Sequence, residues 1–203
     1  MFQLKRYLYE SSPSLVQQAI GALPFNWLAG SAYRMILKQT QELEYASSEK
    51  LEEFQEKQLG QLLNAACSNV PAYQCLRAAV DRQRPREALR DFPLLDKETL
   101  QQRFSDYLSS APEFGTWSST TGGTSGNQLQ FILDNGAQNR EVAFMHRLWA
   151  RVGYTPSCRK ATFRGVRLNR RRKGEYWQLN PIYNECQFSP FHLNSDTLHA
   201  YIE

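Results

Sequence analysis

Ten consecutive residues, Ser118-Ser119-Thr120-Thr121-Gly122-Gly123-Thr124-Ser125-Gly126-Asn127, consist wholly of Ser, Thr, Gly and Asn. Apolar, strand-like pieces flank them, Phe114 to Trp117 before and Leu129 to Leu133 after. Three glycines let the backbone turn sharply and approach a ligand with no Cβ in the way. The hydroxyls add donors, and successive amides in such a turn form a concave nest that suits an anion. A hydrogen bond to a charged group contributes roughly 1.5–3 kcal/mol. The same composition also describes a polar hairpin or a Ser/Gly linker, so residues alone leave both readings open.

Two common phosphate loops are excluded by the letters. A Walker A loop needs a lysine directly after its last glycine and a helix behind it. Here Gly126 is followed by Asn127 and Gln128, and Leu129, Phe131 and Leu133 alternate with Gln130 as in a strand. No G-x-G-x-x-G occurs either, which removes a dinucleotide fold.

The chain around this run has 203 residues, 41% of them apolar and 22% charged, with a net charge of +4. A chain of this size buries roughly 70% of its unfolded surface on folding. The charge admits an anionic ligand without pointing to nucleic acid. No apolar run approaches the ~20 residues of a membrane span; the best, Ala19 to Gly30, is broken by Pro24. Neither a transmembrane segment nor a cleaved signal peptide is expected. Cys67, Cys75, Cys158 and Cys186 form no C-x-x-C and have no histidine at ligand spacing. They are read as free thiols of a cytoplasmic protein, with no metal site.

Periodicity predicts helices first. Leu15, Val16, Ala19, Ile20 and Leu23 follow Pro13 at helical spacing, and Tyr33, Ile36 and Leu37 follow Pro24. Residues 1–48 are expected to be a helical extension packing on a domain that begins at residue 49. Leu51, Phe54, Leu59, Leu62, Leu63 and Ala66 make a further stripe that ends before Pro71. Asp96 is the expected N-cap of a helix burying Leu100, Phe104, Tyr107 and Leu108. After the Ser/Thr/Gly run, Asp134 or Asn135 is expected to cap a helix with Val142, Met145, Leu148, Trp149 and Val152 on one face, stopped by Gly153. His146 beside that stripe is read as solvated or at the edge of the core. A strand is expected near Ala161 to Gly165, another over Phe188 to Leu193, and then a helix capped by Asn194 or Ser195 with Leu198, Tyr201 and Ile202 on one side.

Arg164, Arg167, Arg170, Arg171, Arg172 and Lys173 form the most basic patch. A solvated loop, an anion-facing loop and an RNA contact all remain open for it.

The run Thr121-Gly122-Gly123-Thr124-Ser125-Gly126-Asn127-Gln128-Leu129 resembles the phosphate-binding signature of adenylate-forming enzymes. That signature is a Thr/Ser and Gly core followed by x-Pro-x. The branch it is most similar to contains phenylacetate–coenzyme A ligase and the capsular-polysaccharide-biosynthesis (CapK-like) proteins. Gln128 stands where that pattern usually has proline, and Gln130 where lysine is frequent. Three further segments resemble the family in the expected order: Asn69-Val70-Pro71-Ala72-Tyr73, Phe92 to Leu100, and Arg140 to Tyr154. The stretch from Ser189 to Glu203 does so as well, so the likeness covers about residues 50–203.

The resemblance implies an α/β fold, the front part of an adenylate-forming N-terminal domain over 49–203. In it, N-terminal helices precede a sheet that carries the phosphate loop 118–128. Ser119, Thr120, Thr121, Gly122, Gly123, Thr124, Ser125 and Gly126 are the implied nucleotide-phosphate-binding residues. The implied cofactors are ATP and magnesium, and the implied reaction joins a small-molecule carboxylate to ATP, giving acyl-adenylate and pyrophosphate before transfer to a thiol such as coenzyme A. Relatives run on for about as long again, through the adenine-contacting stretch, the acidic magnesium ligands and a small C-terminal domain. The first expectation is therefore a truncated or split ligase, linked to polysaccharide biosynthesis and inactive unless a second polypeptide supplies the rest. No catalytic residue is assigned. A non-catalytic nucleotide-phosphate-binding or interaction module is the second reading, and RNA binding through Arg164–Lys173 the third.

Overall fold

The computed structural model describes residues 8–9, 11–111, 115–122, 128–163, 165, 168 and 175–202. The fold is mixed α/β, with eight α-helices and two small sheets among the described residues. The chain divides into two compact units, Met1–Gln41 with Gly136–Glu203, and Glu42–Asn135.

In the first unit, α1 (Ser14–Gly21) and α2 (Phe25–Leu28) each follow a proline, which presets the backbone for a first helical turn. Gly30 at φ +77° then turns the chain into α3 (Gly30–Leu43). Tyr33 and Ile36 are buried on α3 as their spacing predicts, and Leu37 packs beside them. Phe25, Ala29 and Ala143 complete this core, with Ile182 and Tyr183 against it. The helical segment at the N-terminus thus packs on residues far along the chain. Residues of α1 do not share in the core: Leu15 is 77% exposed.

Helix α8 (Ala137–Ala150) departs from the expected face. It buries Ala143 and His146 and leaves Leu148 and Val152 largely exposed. Packing decides this: small Ala143 lets the helix approach the Phe25–Tyr33 cluster, which a Leu at that place would prevent. The cap also differs. Gly136 is the N-cap and no side chain caps the helix, so Asp134 and Asn135 do not serve. At the other end Gly153 adopts φ +83°, and the Tyr154 amide reaches back to the Trp149 carbonyl at 3.2 Å, a glycine stop of the expected kind.

Three short strands follow: β3 (Lys160–Phe163), β4 (Trp177–Asn180) and β5 (Glu185–Phe188), in the order β3-β5-β4. β5 pairs parallel with β3 and antiparallel with β4. The expected strand over Phe188 to Leu193 ends at Phe188, because Pro190 opens a 3₁₀ turn and cannot donate to a ladder. Asn194 does cap the next turn, accepting from the amides of Asp196 and Thr197, but the turn is 3₁₀ (Leu198–Tyr201) and leaves Ile202 exposed.

In the second unit, α4 (Ser48–Asn69) is capped by Ser47 and buries Leu63 and Cys67, whereas Leu62 from the expected stripe is 65% exposed. Two short helices, α5 (Arg77–Arg82) and α6 (Pro85–Ala88), pack along it. Asp96 caps α7 (Lys97–Gln102) as expected, its Oδ1 accepting from the Thr99 amide at 2.7 Å. Phe104 and Tyr107 sit in a following 3₁₀ turn, where Tyr107 meets Tyr73 edge-on. The unit ends in the hairpin of β1 (Trp117–Thr120) and β2 (Gln130–Leu133).

No described helix is long and apolar enough to cross a membrane.

Candidate functional site

The hairpin β1–β2 carries the Ser/Thr/Gly run. Its register pairs Trp117 with Leu133, Ser118 with Ile132, Ser119 with Phe131 and Thr120 with Gln130. The first three residues of the run are therefore strand, and the connection begins at Thr121. Thr121 closes the hairpin twice. Its amide donates to the Leu129 carbonyl (2.9 Å), and its Oγ1 accepts from the Leu129 amide (3.0 Å).

Closure at this pair sets which donors remain. Antiparallel residues alternate between hydrogen-bonded and non-bonded pairs. With Thr121–Leu129 bonded, the Thr120 amide turns away from β2. A hydroxyl that accepts one bond still has its own proton to donate, so the Thr121 O–H can point outward although its amide is used. Side chains divide by face: Ser118, Thr120 and Gln130 lie on the exposed side, Trp117, Ser119 and Phe131 on the half-buried side. Ser119 thus points away from Thr120. Gly122 has nothing within 4 Å of the position a Cβ would take. Gly123, Thr124, Ser125 and Gly126 lie outside the described residues.

The two departures from the family pattern have local roles. Gln130 Nε2 donates to Ser118 Oγ (2.9 Å), bracing the two strands. The Gln128 carbonyl accepts from Gln101 Nε2 of α7 (2.9 Å), which ties the base of the connection to the helix capped by Asp96.

Sequence reading gave no hint of the polar cluster in the first unit. Tyr33 is fully buried and His146 is 5% exposed. Tyr33 Oη and His146 Nδ1 form a hydrogen bond of 3.0 Å, either atom being the donor according to the imidazole tautomer. Phe25, Trp149 and Tyr154 ring the imidazole at 5.1–5.9 Å. Burial lowers the His146 pKa to about 4, with Lys160 adding to the effect. Burial likewise pushes Tyr33 up to about 12. A neutral, enclosed imidazole and a neutral phenol are a structural pair, not an acid and a base for chemistry near neutral pH. Lys160 itself lies over the rings of Trp149, Tyr154 and Tyr183 at 5.2–5.8 Å. The signal that could have found the pair is the single ring nitrogen among apolar residues of α8, one turn from Ala143.

The three-stranded sheet has a continuous polar face. Thr162 Oγ1 and Gln187 Nε2 each donate to the buried Glu185 carboxylate (2.7 and 2.9 Å), and Gln178 Nε2 donates to Gln187 Oε1 (2.9 Å). Every polar atom named here has a partner within the sheet, so the network holds strands together.

Of the basic patch, Arg164, Arg167, Arg170, Arg171, Arg172 and Lys173 all lie outside the described residues. No group of three or more His, Cys, Asp or Glu side chains among the described residues is placed to hold a metal ion. All four cysteines are free, Cys67 buried and Cys75 exposed. Hydrogen bonds from the amide and hydroxyl of Thr155 hold the Cys158 thiol below its usual pKa.

No family model, curated protein or solved structure matches this chain.

Proposed function

We propose that the connection between β1 and β2 binds the phosphates of a nucleotide, and that it does so in the manner of an adenylate-forming ligase. One observation carries the reading. The Thr121–Leu129 pair fixes the mouth of the connection with two hydrogen bonds, so the glycine-rich residues beyond it start from a braced, antiparallel base. Fixed donors stabilise developing charge without reorganising when the reaction occurs. Around that mouth, the Thr120 amide, the Thr120 and Thr121 hydroxyl protons and the open approach at Gly122 are compatible with an anion.

The chemistry that goes with this reading is activation of a carboxylate by ATP. A carboxylate is already a nucleophile at neutral pH, so the chain needs no general base. The proposed role of Thr120, Thr121, Gly122, Gly123, Thr124, Ser125 and Gly126 is to hold the triphosphate in line and to stabilise the charge passing to pyrophosphate. Magnesium is assigned no ligand in this chain, because the described residues offer no carboxylate group for it. The carboxylic acid, the acyl acceptor and any further polypeptide remain part of the same proposal.

Calorimetric titration of the intact chain with ATP in magnesium buffer tests the reading. Saturable heat that disappears in Gly123→Val is the expected result. Equal binding by that variant, or no heat in the unaltered chain, contradicts it. Pyrophosphate release with a panel of carboxylic acids then separates a ligase from a binding module.

A further inference from the structure

The sheet β3-β5-β4 is sorted by face. Register places Lys160, Thr162, Gln178, Asn180, Glu185 and Gln187 on one side and Ala161, Phe163, Trp177, Leu179, Cys186 and Phe188 on the other. A sheet with one face on a core and one in water normally turns its apolar side inward. Here the order is reversed. Glu185 on the polar side is 9% exposed, while Phe163 is 57%, Leu179 62% and Trp177 38% exposed. A contiguous exposed apolar face, unlike scattered single residues, marks a surface meant to be covered.

We propose that this face docks another polypeptide, one that brings an apolar strip bordered by acidic residues. The face lies in a different unit from the phosphate-binding hairpin, so the proposal stands apart from that reading.

Ring geometry selects the occupant. Phe163 and Phe188 stack with centroids 4.8 Å apart and planes 9° from parallel. Rings lying flat on a sheet cannot come so close; these stand upright between neighbouring strands and turn their edges outward. Nucleic-acid bases stack on exposed ring faces, and here the facing surfaces of the two rings already cover each other. Edges, with Leu179, Ala161 and Cys186 between them, suit the interdigitating side chains of a polypeptide.

Charge selects its sign. The segment joining β3 to β4 leaves from Phe163 and returns at Trp177, both on this face. Between them the sequence holds Arg164, Arg167, Arg170, Arg171, Arg172 and Lys173 and no acidic residue until Glu175. Such a border attracts an acidic partner and speeds its encounter. A second copy of this chain would bring the same six cations to the interface.

The test pans a phage-displayed random peptide library on the intact chain, with counter-selection on a Phe163→Ser/Leu179→Ser double variant. Both side chains are largely exposed, and a circular-dichroism melt checks that the variant folds. If it does not, Leu179→Ser alone takes its place. The proposal expects enriched peptides that alternate apolar residues with Asp or Glu, bind the unaltered chain, weaken at raised ionic strength and lose at least about tenfold in affinity to the variant. Four results would overturn it: no enrichment over the variant; enriched peptides that are basic or lack apolar residues; a uridine oligonucleotide that binds the chain and is lost in the variant; or a dimer in sedimentation that the variant abolishes.

Discussion

Tyr33 Oη and His146 Nδ1 meet at 3.0 Å, joining α3 to α8 across 113 positions of sequence. Neither side chain has appreciable exposure. The bond is therefore made where water cannot replace it, and its loss leaves a buried polar atom alone. Two predictions follow from this pair.

The first concerns acid. His146 titrates at about 4 in the folded chain against an ordinary 6.5, so the unfolded chain holds the proton more tightly. Stability is complete above pH 6.5 and falls as pH drops through that window toward 4. One pH unit of difference is worth 1.36 kcal/mol, so the loss amounts to about 3 kcal/mol. Urea unfolding measured between pH 7 and pH 4 on the unaltered chain and on His146→Gln checks this. The slope attributable to the histidine vanishes in the variant; identical pH profiles contradict the assignment.

The second concerns the phenol. Tyr33→Phe keeps the ring against Phe25 (5.2 Å, edge-on) and removes only the hydroxyl. His146 Nδ1 then has no partner, at a cost of about 1–3 kcal/mol. Combining Tyr33→Phe with His146→Leu should cost less than the sum of the two single changes, since both partners are then gone. Strict additivity in a double-mutant cycle counts against the bond.

Glycine positions provide a contrast. A Cβ at Gly21 would meet Pro181 Cβ and lie 2.8 and 2.9 Å from Pro181 C and O, within the first unit. Backbone cannot yield as a flexible side chain can, so Gly21→Ala should destabilise by roughly 1–3 kcal/mol despite alanine's better helix propensity. Gly122 has open space, so Gly122→Ala should leave the melting temperature unchanged. Thermal melts of the two variants decide it; equal effects would mean that the approach of α1 to Pro181 is not held.

Hairpin closure is separable from ligand binding. Thr121→Val removes the Oγ1 that accepts from Leu129 while keeping the shape, and Thr121→Ser keeps the acceptor. Loss of the bond should cost about 0.5–1.5 kcal/mol and speed hydrogen exchange at the Leu129 amide. Protection at Leu129 that is unchanged in Thr121→Val would show that the side chain does not close the turn.

Periodicity and turn chemistry made part of this fold legible. The buried pair Tyr33 and Ile36, the Asp96 cap and the Gly153 stop all arise from interactions within a few residues, which local sequence encodes. The face of α8 does not. Whether Ala143 and His146 or Leu148 and Val152 turn inward depends on a cluster contributed from more than a hundred residues away. The reversed sheet was hidden for a related reason: alternation marks a strand, but which side is buried depends on what lies against it. At the hairpin, sequence identified the turn but placed its start too early, since Ser118 to Thr120 pair as strand residues. It also could not tell that Ser119 faces away from Thr120, which follows only from the register.

The central claim is that the connection after Thr121 receives nucleotide phosphates. The most direct measurement is the change in backbone amide NMR shifts when ATP is added, with magnesium, to nitrogen-15-labelled protein. The account predicts saturable changes concentrated at residues 119–128, weaker with AMP than with ATP. Saturable changes confined to other residues, or none at any ATP concentration, would contradict it.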